Sequence, residues 1–174
     1  TRVPEAVFKA SPLIANPVDL AVRDMGLDGL LDIVVLHGSS QAITVLRNVN
    51  PKGAAASLFA PVDTASVVAP WGLLVEDLDG DRRPDVIVAT ADSARVCVYR
   101  TMADATLAPP ACYAAGGSAT DIMRGLACMD FDADADLDVV ATNQTGNESV
   151  LLGNDGSGAL SPVLESPTLN RPIL

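Results

Sequence analysis

Aromatic residues are scarce in this 174-residue chain: one Trp, two Tyr and three Phe make up 3% of it. A core must then be built from small and β-branched side chains, mostly Ala and Val, which suits closely packed sheets. Cationic residues are few as well, with 11 Lys and Arg against 22 Asp and Glu. Nucleic-acid binding needs clustered Lys and Arg, so that class is excluded. The single histidine, His37, follows an apolar run and reads as a turn or surface residue; a Ser-His-Asp triad would rest on it alone. No run approaches the roughly 20 apolar residues of a membrane span. No leader is visible, and the start at Thr1 reads as a mature or trimmed product. Three cysteines, Cys97, Cys112 and Cys128, show no Cys-x-x-Cys spacing, which argues against zinc. No segment sustains helical periodicity.

What is present is a repeat. Asp24 to Asp32, Asp77 to Asp85 and Asp130 to Asp138 are nine-residue stretches in one frame, and their first aspartates, 24, 77 and 130, are 53 residues apart. Aspartates 24, 28, 32, 77, 79, 81, 85, 130, 132, 134, 136 and 138 are 12 of the 22 acidic residues, so the acidity is concentrated there. Alternating carboxylates in a short loop supply the six to eight oxygens that calcium takes in flexible geometry. Three such ions would add +6 to a net charge of −11 and leave about −5, ordinary for a soluble domain. A single Asp-x-Asp-x-Asp is as well read as a solvated turn; three copies between apolar runs favour metal. An EF-hand is excluded, because position twelve is Val35, Val88 or Ala141 and the flanks read as strands. An Asp-x-Asp phosphotransfer nucleophile would not recur at this period.

The flanks repeat too. Apolar runs Val18–Val22, Trp71–Val75 and Gly125–Met129 precede the loops, and Ile33–Leu36, Val86–Ala89 and Val139–Ala141 follow them. A third segment comes next: Ile43–Leu46, Val96–Tyr99 and Ser149–Leu152. A fourth carries proline: Leu58–Val62, Leu107–Ala111 and Leu160–Leu164. Short Val- and Leu-rich runs between Gly, Asn, Asp and Pro are strands, and proline belongs on an edge strand. The expected fold is all-β and β-propeller-type: one domain of three four-stranded antiparallel blades, 17–69, 70–122 and 123–174. Residues 1–16 read as an orphan outer strand, with Val7 to Leu13 at its centre, and residues past Glu165 as a linker or the approach to another blade. Cys97 and Cys112 lie symmetrically about a turn near Asp104 and Ala105. They are either a cross-strand disulfide or two buried thiols, and Cys128 is a small core residue. Trp71 is expected in the core or between blades. Asn143-Gln144-Thr145 and Asn147-Glu148-Ser149 match the glycosylation triplet, a frequent chance match.

The stretch Trp71-Gly72-Leu73-Leu74-Val75-Glu76-Asp77-Leu78-Asp79-Gly80-Asp81-Arg82-Arg83-Pro84-Asp85-Val86-Ile87-Val88-Ala89 resembles an FG-GAP/VCBS repeat, the calcium-binding blade of integrin α-subunit propellers and of many bacterial surface proteins. The resemblance implies calcium held by side chains at loop positions one, three, five and nine and by the main-chain oxygen of position seven. Carried onto this sequence, the second site is Asp77, Asp79, Asp81, Asp85 and the carbonyl of Arg83. The third is Asp130, Asp132, Asp134, Asp138 and the carbonyl of Asp136. The first is Asp24, Asp28, Asp32 and the carbonyl of Leu30, weakened because position three is Gly26 and a water would have to replace the carboxylate. Ala133 and Ala135 stand where the family often has glycine, so a different loop backbone is expected there.

The resemblance implies a calcium-binding module of adhesion or ligand binding, not an enzyme. Extracellular modules of this type hold calcium at about 10⁻⁴ to 10⁻³ M, which points to an extracellular or cell-surface location. The alternative is the propeller part of an extracellular polysaccharide-degrading enzyme, such as a lyase, but His37 and scattered arginines give no catalytic cluster. Propellers typically use four to eight blades, so three need completion. A homodimer would make six, with the strand around Phe8 completing the partner's blade.

Overall fold

The computed structural model describes residues 16–50, 59–116, 118 and 120–165. Among them are twelve strands in three four-stranded sheets, each antiparallel and in chain order. The first blade holds β1 (Pro17–Arg23), β2 (Asp32–His37), β3 (Ala42–Asn48) and β4 (Phe59–Ser66). The second holds β5 (Pro70–Glu76), β6 (Asp85–Thr90), β7 (Arg95–Tyr99) and β8 (Ala111–Ala114). The third holds β9 (Met123–Met129), β10 (Asp138–Asn143), β11 (Glu148–Asn154) and β12 (Leu160–Glu165). Strands one to three of each blade start 53 residues after their counterparts, at 17, 70 and 123, at 32, 85 and 138, and at 42, 95 and 148. The orphan strand expected over Val7 to Leu13, and the tail past Glu165, lie outside the described residues.

The blades pack through their faces. Val34, Leu36, Ile43 and Val45 of the first blade meet Val86, Val88, Cys97 and Tyr99 of the second. On its other face the second blade offers Ile87, Ala89, Val96 and Val98 to Val139, Ala141, Val150 and Leu152 of the third. Strand β6 is thus covered on both sides, and all six of its residues are buried. Period-two alternation sends odd residues to one neighbour and even residues to the other. That is why a nearly continuous apolar run suits a central blade, as it does any strand buried on both faces. Leu126 and Cys128 of β9 also pack on the second blade, and burial pushes the Cys128 thiol up to about 12.

Three expectations need adjustment. The fourth strand of the second blade runs Ala111–Ala114, not Leu107–Ala111. Pro109 and Pro110 have no N–H to pair, and Leu107 makes an isolated bridge to Thr101 outside the strand. His37 ends β2 and is buried, 2% exposed, rather than lying in a surface turn. Trp71 is not in the core: it is 45% exposed, and the Arg124 guanidinium of the third blade stacks 4.0 Å from its ring centre. Its role between blades stands. Asn143, the acceptor of one glycosylation triplet, is buried and donates to Asp121 and Glu148, in keeping with a chance match. Cys97 and Cys112 face each other across β7 and β8 and form a disulfide.

Candidate metal centres

Each aspartate loop joins the first strand of a blade to the second, and the three are built alike. The ninth residue is the anchor. Asp32, Asp85 and Asp138 are all buried. Their Oδ2 atoms accept the N–H of position two: Met25 at 2.9 Å, Leu78 at 3.2 Å and Phe131 at 2.9 Å. Their Oδ1 atoms accept the N–H of Asn48 at 2.8 Å, Thr101 at 3.0 Å and Asn154 at 2.8 Å. One carboxylate therefore closes the loop on itself and ties it to the end of the blade's third strand. The same three partners donate side-chain hydrogen bonds to the carbonyl of position eight: Leu31 at 3.2 Å, Pro84 at 2.5 Å and Leu137 at 3.1 Å. Asn48, Thr101 and Asn154 were not singled out in the sequence. Their 53-residue spacing was the available signal, but two residue types share the role.

The remaining aspartates fold the loop. Position one accepts N–H groups from further along: Asp24 from Asp28 and Gly29, Asp77 from Gly80 and Arg82, Asp130 from Ala135. Position five accepts from position seven: Asp28 from Leu30 at 2.9 Å, Asp81 from Arg83 at 2.8 Å and Asp134 from Asp136 at 3.0 Å. Such side-chain turns need left-handed residues between them. Positions four and six have positive φ in all three loops: Leu27 and Gly29, Gly80 and Arg82, Ala133 and Ala135. The third loop thus keeps the backbone of the others, contrary to the expectation that its alanines would change it.

In two loops the carboxylates converge. Asp77, Asp79 and Asp85 bring one oxygen each within 4.8 Å of one another, and so do Asp130, Asp132 and Asp138. Burial pushes the Asp85 carboxyl up to about 6; the N–H groups of Thr101 and Leu78 oppose this, and the charges of Asp79 and Asp81 add to it. Asp132 is held above the usual carboxylate range by lost hydration first, then by Asp134 and Asp138. Crowded oxygens that resist ionisation are a fit for a hard divalent cation, whose charge reverses that penalty. Asp81 is drawn aside by an ion pair with Arg83. In the first loop Asp28 and Asp32 turn to the Arg47 guanidinium, with Nη2 to Asp28 at 2.7 Å and Nε to Asp32 at 3.1 Å.

The profile of the FG-GAP-like repeat matches residues 24–88 and again 77–141, together more than half of the chain. The chain belongs to the FG-GAP-like repeat family. Its FG-GAP repeats also set the fold seen in comparison with solved structures. The structure titled "Crystal structure of BBS1N in complex with ARL6DN, soaked with lead" is similar, with a TM-score of 0.55 at 12% identity over 88% of this chain. That neighbour is a β-propeller. The FG-GAP chain spans 45% of its length, and its own three sheets do not close a ring. No curated protein matches the sequence. Among the described residues no helix is long and apolar enough to cross a membrane.

Proposed function

We propose that this FG-GAP module is a calcium-braced scaffold that presents ligand-binding or adhesive loops at the cell surface. The observation that carries the reading is the repeated convergence of Asp77, Asp79 and Asp85 and of Asp130, Asp132 and Asp138 in one loop frame. Calcium there neutralises carboxylates that repel one another and fixes the crossing from a blade's first strand to its second. Because folding assembles the site, binding adds to stability by mass action. Millimolar calcium suits such exposed loops, which favours an extracellular setting. The reading is non-catalytic: the lone histidine, His37, is buried, and the carboxylate clusters serve the loop backbone.

The end blades support self-association. On β1, Val18, Leu20 and Val22 are exposed, and on β9 so is Met129. Leu20 and Val22 sit opposite Val35 and Ile33 of β2, on the face turned from the second blade. The two end faces are the two halves of the interface already formed twice within the chain, so a second copy is the occupant we assign to them.

Thermal melting in calcium and in chelator tests the calcium reading. Millimolar calcium should raise the melting temperature, and at ten times Kd the gain is about 1.4 kcal/mol per site. Asp132→Asn should abolish the third loop's share, and Asp81→Ala should remove part of the second's. A melting curve indifferent to calcium and chelator would overturn the reading.

A further inference from the structure

The three loops share one backbone but not one electrostatic solution. Position three is Gly26, Asp79 and Asp132, and residues 47, 100 and 153, again 53 apart, are Arg, Arg and Gly. In the first loop the arginine is inside. A Cβ on Gly26 would stand 2.6 Å from Arg47 Nη1 and closer still to its Cζ and Nη2. The space that a position-three carboxylate occupies in the other loops is filled by a cation. Arg47 is only 17% exposed, and it faces Asp28 and the fully buried Asp32. In the second loop Arg100 stays outside, 44% exposed, where Nη1 donates to Asp79 at 3.0 Å and Nη2 to the Ser157 carbonyl of the next blade. In the third loop Gly153 supplies no charge, and Asp130, Asp132 and Asp138 converge without an arginine at that position.

We propose that Arg47 is a built-in cation that takes the place of calcium in the first blade, so the chain holds two ions rather than three. Gly26 and Arg47 are a matched pair: the missing side chain makes the room, and the guanidinium fills it. A guanidinium remains charged at any accessible pH, and its planar fork can engage two carboxylates at once. Removing the guanidinium leaves Asp32 a buried charge with no opposite charge beside it among the described residues, held by the N–H groups of Met25 and Asn48. The count of two rests on reading the second and third loops as calcium sites; the arginine brace does not.

The full chain tests both parts. Equilibrium dialysis against calcium should count two ions for the natural chain, and Asp28→Asn should leave the count at two, while Asp79→Asn or Asp132→Asn lowers it. Melting in chelator should fall by roughly 5–10 °C in Arg47→Met. The double variant Gly26→Asp, Arg47→Met should regain that loss in millimolar calcium and bind a third ion. A lower calcium count in Asp28→Asn, or an Arg47→Met chain that melts in chelator like the natural one, overturns the proposal. If the natural chain binds no calcium yet Arg47→Met still loses stability in chelator, the brace stands and the calcium reading falls.

Discussion

Ala133 and Ala135 have φ of 65° and 78°, a region that costs an L-residue roughly 1–2 kcal/mol. Glycine there escapes the strain but loses about 0.5–1 kcal/mol more chain entropy on folding. Ala135→Gly is therefore expected to stabilise the third blade by about 0.5–1 kcal/mol, and Gly80→Ala to destabilise the second by a similar amount. Paired denaturant titrations would show it, and an Ala135→Gly chain weaker than the natural one would contradict the argument. The aspartate spacing made the loops legible at this scale. Arg47 was not legible: it lies fifteen residues past the loop it enters, and only the fold brings it beside Gly26. Side-chain insertion of that kind leaves no local pattern.

Among the strands, β2 ends on a group that water would otherwise hydrate. Neither ring nitrogen of His37 has a hydrogen-bond partner among the described residues, and burial holds its pKa below the ordinary 6.5. The unfolded chain then binds a proton more readily than the folded one. Stability from this group is fully present above pH 6.5 and is lost as pH falls below that value. His37→Leu should flatten that part of the stability profile between pH 7 and 5; an unchanged slope would assign it elsewhere. Strand existence was readable from short Val-rich runs, and the first three strands of every blade fall where those runs lie. The fourth strand of the second blade was misplaced because Leu107-Ala108-Pro109-Pro110 has the apolar look of a strand without the donors to join one. Packing on both faces of β6 agrees with the apolar run Val86-Ile87-Val88-Ala89 at its centre.

Across the whole molecule, the repeat is written in backbone torsions as much as in side chains. Gln41, Ala94 and Asn147 all take positive φ in the turn between a blade's second and third strands, again 53 residues apart. The sequence could not announce this, since three different residue types occupy one conformation. Blade number and loop position were legible, whereas the way the blades lock was not: the Asn154 side chain donates to the Leu78 carbonyl of the second blade at 2.7 Å, and Tyr99 Oη to the Ser66 carbonyl of the first at 2.8 Å. Leu20, 63% exposed at one end, and Met129, 47% exposed at the other, mark apolar faces of the kind that the blade interfaces cover. Light scattering should give about twice the 17.9 kDa chain mass, with Leu20→Glu shifting it to the monomer. A natural chain that scatters as a monomer at micromolar concentration would count against closure by a second copy.

Among the described residues, the second blade would answer a pulling force differently from its neighbours. The disulfide between Cys97 and Cys112 clips β7 to the outermost strand β8 across a sequence separation of 15. When the chain is pulled from both ends, force passes through the sulfur bridge and the residues between the cysteines stay slack. About 50 Å of contour length is withheld from extension. Reduction would release it, so the redox state of one pair sets how far the middle of the molecule can be drawn out.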